Sequence, residues 1–352
     1  DLVIFAGDAY HKCDPSPTHQ RALALQIRRI QEAEIPIILI PGNHDMPAAF
    51  GRANSIDIFS AFDLAQTHVM RKPEIRVVQT QSGPIQIASL PWPTRNNIRA
   101  RDEFRNLTQD AVRSKIQTDC GELIDNFARE IDPRIPSVLV GHITVADANY
   151  SGKEHSFTTN IGNDPTLLLS TIGNSAFDYV ALGHIHKHQD INAGATPPVV
   201  YAGSMERIDF GEEHDEKGFC LVQISENSKE STDRETAFEF IPVKARRFVT
   251  IDVELNSDGE ELTQQLIQKI RSYDIREAIV RIRYTMPPEA TEVINLTPIN
   301  NALTDAHHIA SIQPIFSESN RDRRETVSEG MTLFEALEAY IENNSEELEK
   351  RE

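Results

Sequence analysis

The apolar residues of this chain follow two rhythms. Short apolar runs recur at Leu2–Ala6, Ile35–Ile40, Ile85–Leu90, Val138–Val140, Tyr179–Leu182 and Val199–Ala202. Between them, apolar residues fall three or four apart. Leu23, Ile27 and Ile30 do so within Thr18–Ala33, and Leu107, Ala111, Ile116, Leu123, Ile124 and Phe127 within Arg105–Ile131. The first rhythm predicts buried strands and the second predicts helices. Apolar strands alternating with helices predict an α/β layered fold with a largely buried sheet.

After Phe219–Ile224 the pattern changes. The polar stretch Ser225–Thr236 reads as a hairpin loop or linker. It is followed by strand patterns at Ala237–Val243 and Phe248–Leu255, the latter alternating through Val249, Ile251, Val253 and Leu255. An amphipathic helix is predicted at Gly259–Tyr273, a strand at Ala278–Tyr284, a short helix at Pro298–Ala306 and a strand at Ile312–Phe316. Pro298 suits a first helical turn, where no backbone N–H is needed. The predicted organisation is therefore an α/β domain over 1–243, a small α+β domain over 244–317 and an acidic tail over 318–352. The tail holds one helix signal. Thr332 is its N-cap, Glu335 completes a capping box, and Leu333, Leu337, Tyr340 and Ile341 form the apolar face.

Composition narrows the class. A chain of 352 residues is long enough for two buried cores, and 39% apolar with 25% charged residues is an ordinary globular mixture. No run of eighteen apolar residues predicts a membrane span, and no secretory signal is expected. Cys13, Cys120 and Cys220 have no CxxC spacing, which argues against a disulfide framework and fits a reducing, cytoplasmic setting. The formal charge of −19 argues against a non-specific nucleic-acid binder. Against that, metal-site carboxylates are neutralised by their ions, and a basic groove can be local or supplied by a partner.

The candidate chemistry sits at the carboxyl ends of predicted strands. Gly7-Asp8 follows the first run, and Gly42-Asn43-His44-Asp45 the second. Gly141-His142 follows Val138–Val140, and Gly183-His184-Ile185-His186 follows Val180–Leu182. Ligands of open α/β sheets bind at this end of the strands, so the four loops are predicted to converge. Asp, Asn and His are oxygen and nitrogen donors suited to Mn, Zn or Fe and too nitrogen-rich for calcium. Each motif alone has a plain reading as a turn or a structural histidine. In this order, each at a strand end, they point to a metal site.

The set GD, GNHD, GH and GHxH resembles the calcineurin-like metallophosphoesterase superfamily. Within it the chain resembles the SbcD-type nucleases of double-strand-break repair. Leu90-Pro91-Trp92-Pro93, Phe177–Gln189, Tyr201–Glu212 and Lys217-Gly218-Phe219 carry that likeness, and it loosens after Phe248. The resemblance implies a β-sandwich flanked by helices with a small capping domain. It implies two divalent metals, most naturally Mn2+, with Asp8 bridging them. Asn43, His142 and His184 would complete one metal, and His186 would bind the other. His44 would sit over the phosphate and assist the leaving oxygen, with Asp45 orienting His44 and His11 nearby but not a ligand. It further implies DNA as substrate, with 3′-to-5′ exonuclease and single-strand endonuclease activity. The partner would be an SMC-like, SbcC-like ATPase bound through the region of Thr332–Asn344, in a heterotetramer built on a homodimer of this chain.

One feature departs from that family's pattern. Its members open with an Asp-x-His motif that supplies two ligands to the metal held by His186, and no such motif precedes Asp8. The expectation is a sequence that starts part-way into its first domain, with natural use of one metal as the alternative. Two other readings compete with nuclease activity: a phosphodiesterase for small phosphate esters, and a catalytically incomplete scaffold for DNA or the ATPase. Arg207 is open to a phosphate contact or a surface ion pair. Arg246 and Arg247 are open to DNA or solvent, Trp92 is assigned to the core, and His307-His308 to the surface.

Overall fold

The computed structural model describes residues 1–47, 51–62, 64, 66–93, 108–151, 165–226, 234–255, 261–286 and 294–315. The expected tail helix at 332–344 lies outside these residues. The chain divides into two compact units, Asp1–Phe248 and Val249–Glu352.

In the first unit, β1 (Val3–Phe5), β2 (Ile37–Leu39) and β3 (Thr67–Val69) form a parallel sheet, with helices α1 (Pro17–Glu32) and α2 (Ile58–Ala61) between its strands. The second sheet uses β4 (Glu74–Thr80), β5 (Gly83–Leu90), β6 (Ser137–His142), β9 (Tyr179–Gly183), β10 (Gln189–Asp190) and β11 (Val199–Tyr201). Its order is β10-β11-β9-β6-β5-β4, parallel at the centre and antiparallel at both edges. Helix α3 (Gln109–Glu130) crosses between β5 and β6. The short pair β7 (Thr144–Val145) and β8 (Thr166–Leu167) and the turn of helix α4 (Leu169–Ile172) lie between β6 and β9. An antiparallel hairpin, β12 (Gly218–Glu226) with β13 (Arg234–Pro242), follows.

Strand periodicity decides how these layers stack. Ile37 and Leu39 pack with Ile27 of α1, whereas their neighbours Ile38 and Ile40 pack with Ile87, Val138 and Val140 of the other sheet. On the second sheet, Leu139, Val180 and Leu182 turn the opposite way, onto Val112, Ile116, Ile124 and Phe127 of α3. Side chains alternate across a strand, so each sheet buries one face on the other sheet and the second face on a helix. The result is a helix–sheet–sheet–helix sandwich. Both long helices start from side-chain caps: Ser16 Oγ accepts from His19 N at 3.3 Å, and Thr108 Oγ1 from Ala111 N at 3.3 Å.

The second unit is α+β. Strands β14 (Phe248–Glu254), β15 (Ile279–Thr285) and β16 (His308–Ile315) form its sheet, with α5 (Leu262–Arg271) and α6 (Leu296–Ala302). Ile251, Val253, Val280 and Ile282 cover one face of that sheet with Leu266, Ile270 and Ile299 of the helices. On the other face Arg283 forks onto Asp252 at 2.6 and 2.7 Å, and Arg281 reaches Thr250 at 2.9 Å.

Candidate metal centre

Every candidate ligand leaves its strand at the carboxyl end. β6 and β9 run in parallel register with His142 opposite Gly183, and β1 and β2 with Phe5 opposite Leu39. The loops from both sheets therefore meet at one edge of the sandwich. They meet closely: a methyl group on Gly42 would overlap the Asp8 carboxylate, and one on Gly183 would overlap the Ala6 carbonyl. Asp8 and His184 themselves adopt positive φ, 56° and 94°, a conformation uncommon for non-glycine residues.

Asp8, His142 and His184 each offer a ligand atom within 4.8 Å of the others. Asn43 Oδ1 lies 3.0 Å from His142 Nε2 and 3.0 Å from His184 Nδ1. His142 Nε2 is also 3.1 Å from Asp8 Oδ2. The Ala6 carbonyl, which can only accept, lies 2.6 Å from His142 Nδ1, so Nδ1 carries the proton. His142, itself fully buried, thus aims its Nε2 at two oxygens. Three acceptors converging there require a proton or a cation between them. Asp8, Asn43, His142 and His184 fit a divalent transition metal both in arrangement and in donor type. In addition, His184 Nε2 is buried with no hydrogen-bond partner among the described residues.

The electrostatics follow from the same geometry. Burial pushes the Asp8 carboxyl up, yet the charge and hydrogen bond of His142, with help from His44, hold it at about 2. Burial opposes a charge on His142, but Asp8 outweighs it and the imidazole pKa is raised. Burial, then the charge of His142, push His184 down to about 3. Asp8 Oδ1 is taken by the backbone N–H of His44 at 2.8 Å, which ties the GNHD loop to the first loop.

His44 is oriented by a neighbour other than the expected Asp45. Its Nδ1 lies 3.1 Å from the carbonyl of His11, so Nδ1 donates and Nε2 is the working end of the ring. The His11 ring stacks on it at 5.6 Å. The Asp45 carboxylate, fully buried, instead accepts from Gly42 N at 2.9 Å, Ala9 N at 3.2 Å and Ser55 Oγ at 2.8 Å. Asp45 holds two ligand-bearing loops together, and any influence on His44 runs through the backbone.

His186 stands outside the three-residue cluster, with its Nδ1 2.8 Å from Glu212 Oε1. Glu212 ends the short turn Phe210–Glu212, and its Oε2 meets Lys217 Nζ at 2.7 Å. Burial pushes Glu212 up, but hydrogen bonds from His186 and Lys217 bring its pKa below the usual value. Sequence reasoning did not single out these two partners.

Two further assignments change. Among the described residues Arg207 makes no ion pair. Its guanidinium donates to the backbone carbonyls of Glu212, Glu213, Asp215 and Arg246 at 2.7–3.2 Å, because that turn leaves carbonyls without ladder partners. Trp92 is a wall of the metal centre rather than buried core. Its backbone N–H donates to Pro41 O at 3.1 Å, and its indole packs on His184 at 5.0 Å and on His142 at 6.0 Å. His307 is exposed, 3.9 Å from Glu277.

Residues 1–188, which carry all of these loops, match the family model of the calcineurin-like phosphoesterases. The chain belongs to the calcineurin-like phosphoesterase family. Members of this family are hydrolases of phosphoesters that use divalent metals, and Asp8, His142 and His184 form a group that could hold one. Among curated relatives, the chain is similar to the SbcD component of the nuclease SbcCD from Staphylococcus epidermidis, strain ATCC 12228 / FDA PCI 1200. The two are 28% identical over 272 residues, which is 76% of this chain and 65% of that relative's length.

Proposed function

We propose that this chain is the nuclease component of an SbcD-like complex and hydrolyses phosphodiester bonds in DNA. The observation that carries this reading is the convergence of Asp8, Asn43, His142 and His184 beside a third, differently held imidazole, His44. The likeness to a component of the nuclease SbcCD supports it. Asp8, Asn43, His142 and His184 would hold one divalent ion, and Asp8 with His186 would contribute to a second. When bound, such ions supply an activated water and neutralise charge on the phosphate; Mn2+ suits the donor set. The chain's own part lies with His44. Because the His11 carbonyl fixes the proton at Nδ1, a protonated His44 offers Nε2–H to the leaving oxygen.

The rest of the reading follows the resemblance. The second unit acts as a DNA-capping domain, the acidic tail starts the segment that binds an SMC-like ATPase, and the protein works in the cytoplasm in DNA repair and recombination as a dimer within that complex. The charge of −19 favours a second reading, a phosphodiesterase for small phosphate esters.

The test is Mn2+-dependent cleavage of an end-labelled linear duplex, beside bis-nitrophenyl phosphate and cyclic nucleotides, with His142→Ala as control. DNA cleavage lost in the control supports the nuclease reading. Turnover of small esters alone installs the second reading. Metal binding without any turnover leaves a scaffold protein in place of either.

A further inference from the structure

Behind His186 lies a closed ring of contacts. Its Nδ1 meets Glu212 Oε1 at 2.8 Å, Glu212 Oε2 meets Lys217 Nζ at 2.7 Å, and Lys217 Nζ donates back to the His186 backbone carbonyl at 3.1 Å. One residue is thus gripped at its ring and at its backbone by a single ion pair. The Lys217 and Glu212 side chains are 0% and 1% exposed. Asp215 Oδ2 stands 3.6 Å from the same ammonium, and Ile208 N donates to Glu212 Oε2 at 3.3 Å. Arg207 staples the surrounding turn through four backbone carbonyls.

Stability alone does not explain this arrangement. An apolar pair of similar volume commonly matches or exceeds a buried ion pair. An apolar pair, however, cannot accept a proton from a ring nitrogen. Carboxylates that receive the far N–H of a metal-binding histidine fix both its tautomer and its ring orientation.

We propose that Glu212 is a positioning residue for His186. It holds the imidazole as the Nδ1–H tautomer, which makes Nε2 the ligand atom, while Lys217 fixes Glu212 through a charge-assisted hydrogen bond. The proposal rests on the reading of His186 as a metal ligand.

The experiment uses the full chain with 15N-labelled histidine, free of metal, and assigns the His186 ring signals with His186→Ala. The parent protein shows the Nδ1–H tautomer. Glu212→Leu shows a mixture or the Nε2–H form, with Glu212→Gln between the two. Mn2+ binding, followed by the electron paramagnetic resonance of free Mn2+, weakens about 10- to 100-fold in Glu212→Leu and in Lys217→Met. A parent protein in the Nε2–H tautomer overturns the proposal without any variant, so a folding failure of the variants does not shield it. An unchanged tautomer in a folded Glu212→Leu overturns it as well. If His186→Ala binds Mn2+ as tightly as the parent, the ligand reading is what fails, and the tautomer still decides whether Glu212 positions the ring.

Discussion

The indole of Trp92 lies 5.0 Å from the ring of His184, tilted 37° to it. Trp92 is the only tryptophan in the chain, so its fluorescence reports on one place. Ions with partly filled d shells quench an indole at this range. Titrating Mn2+ or Co2+ into the protein should give saturable quenching of the tryptophan emission, and Mg2+ should give far less. His142→Ala removes a ligand while sparing the indole, and should move the quenching midpoint to at least tenfold higher metal. Quenching that persists unchanged in that variant would place the ion elsewhere.

His44 differs from His142 and His184 in standing outside the ligand cluster, with its Nδ1 bound to the His11 carbonyl. Its removal should therefore separate turnover from metal binding. His44→Ala should lower kcat about 10²- to 10⁴-fold, the range of a lost general acid. Mn2+ affinity should stay within a factor of two or three of the parent. A parallel loss of affinity would make His44 a ligand instead.

Much of the first unit is legible in the sequence, and the exceptions have physical causes. The four ligand motifs stand out because each follows an apolar strand whose periodicity is local. Strand β4 escapes notice because Glu74, Arg76 and Gln79 interrupt its apolar run, as suits an edge strand with one solvated face. Strand β3, Thr67-His68-Val69, is too short to show a rhythm. The ring joining His186, Glu212 and Lys217 is illegible because its members belong to three separate turns and meet only after folding. A signal does exist in the charged residues packed into Glu206–Lys217, but sequence alone cannot pair them. The contacts of Arg207 and Asp45 are illegible for the same reason. Each side chain bonds backbone groups, and backbone groups carry no residue-type signal.

Cys120 tests how firmly α3 seals the core. Burial first, then the nearby Asp119 charge, push its thiol up to about 12. The thiolate is the nucleophile, so native protein at pH 8.5 should leave Cys120 unalkylated by iodoacetamide, whereas denaturant should expose it. Mass mapping of the labelled cysteine decides the matter. Cys120 labelling in the folded protein at a rate near that of a free thiol would mean that α3 opens readily from the sheet.

Tyr201 links the strand next to the GHIH motif with the segment that follows His142. Its ring is fully buried, its hydroxyl donates to Ile143 O at 2.8 Å, and it accepts from Val145 N at 3.0 Å. Tyr201→Phe keeps the packing but orphans a buried backbone N–H and a buried C=O. The expected destabilisation is about 1–3 kcal/mol. In a unit of this size that lowers Tm by about 2–4 °C for each kcal/mol. Because Ile143 directly follows His142, the loss should also loosen the ligand strand end, so Mn2+ should protect the variant against heat more than it protects the parent. Equal protection of both would show that the tyrosine secures the core alone and that His142 is held by its own contacts to Ala6 and Asp8.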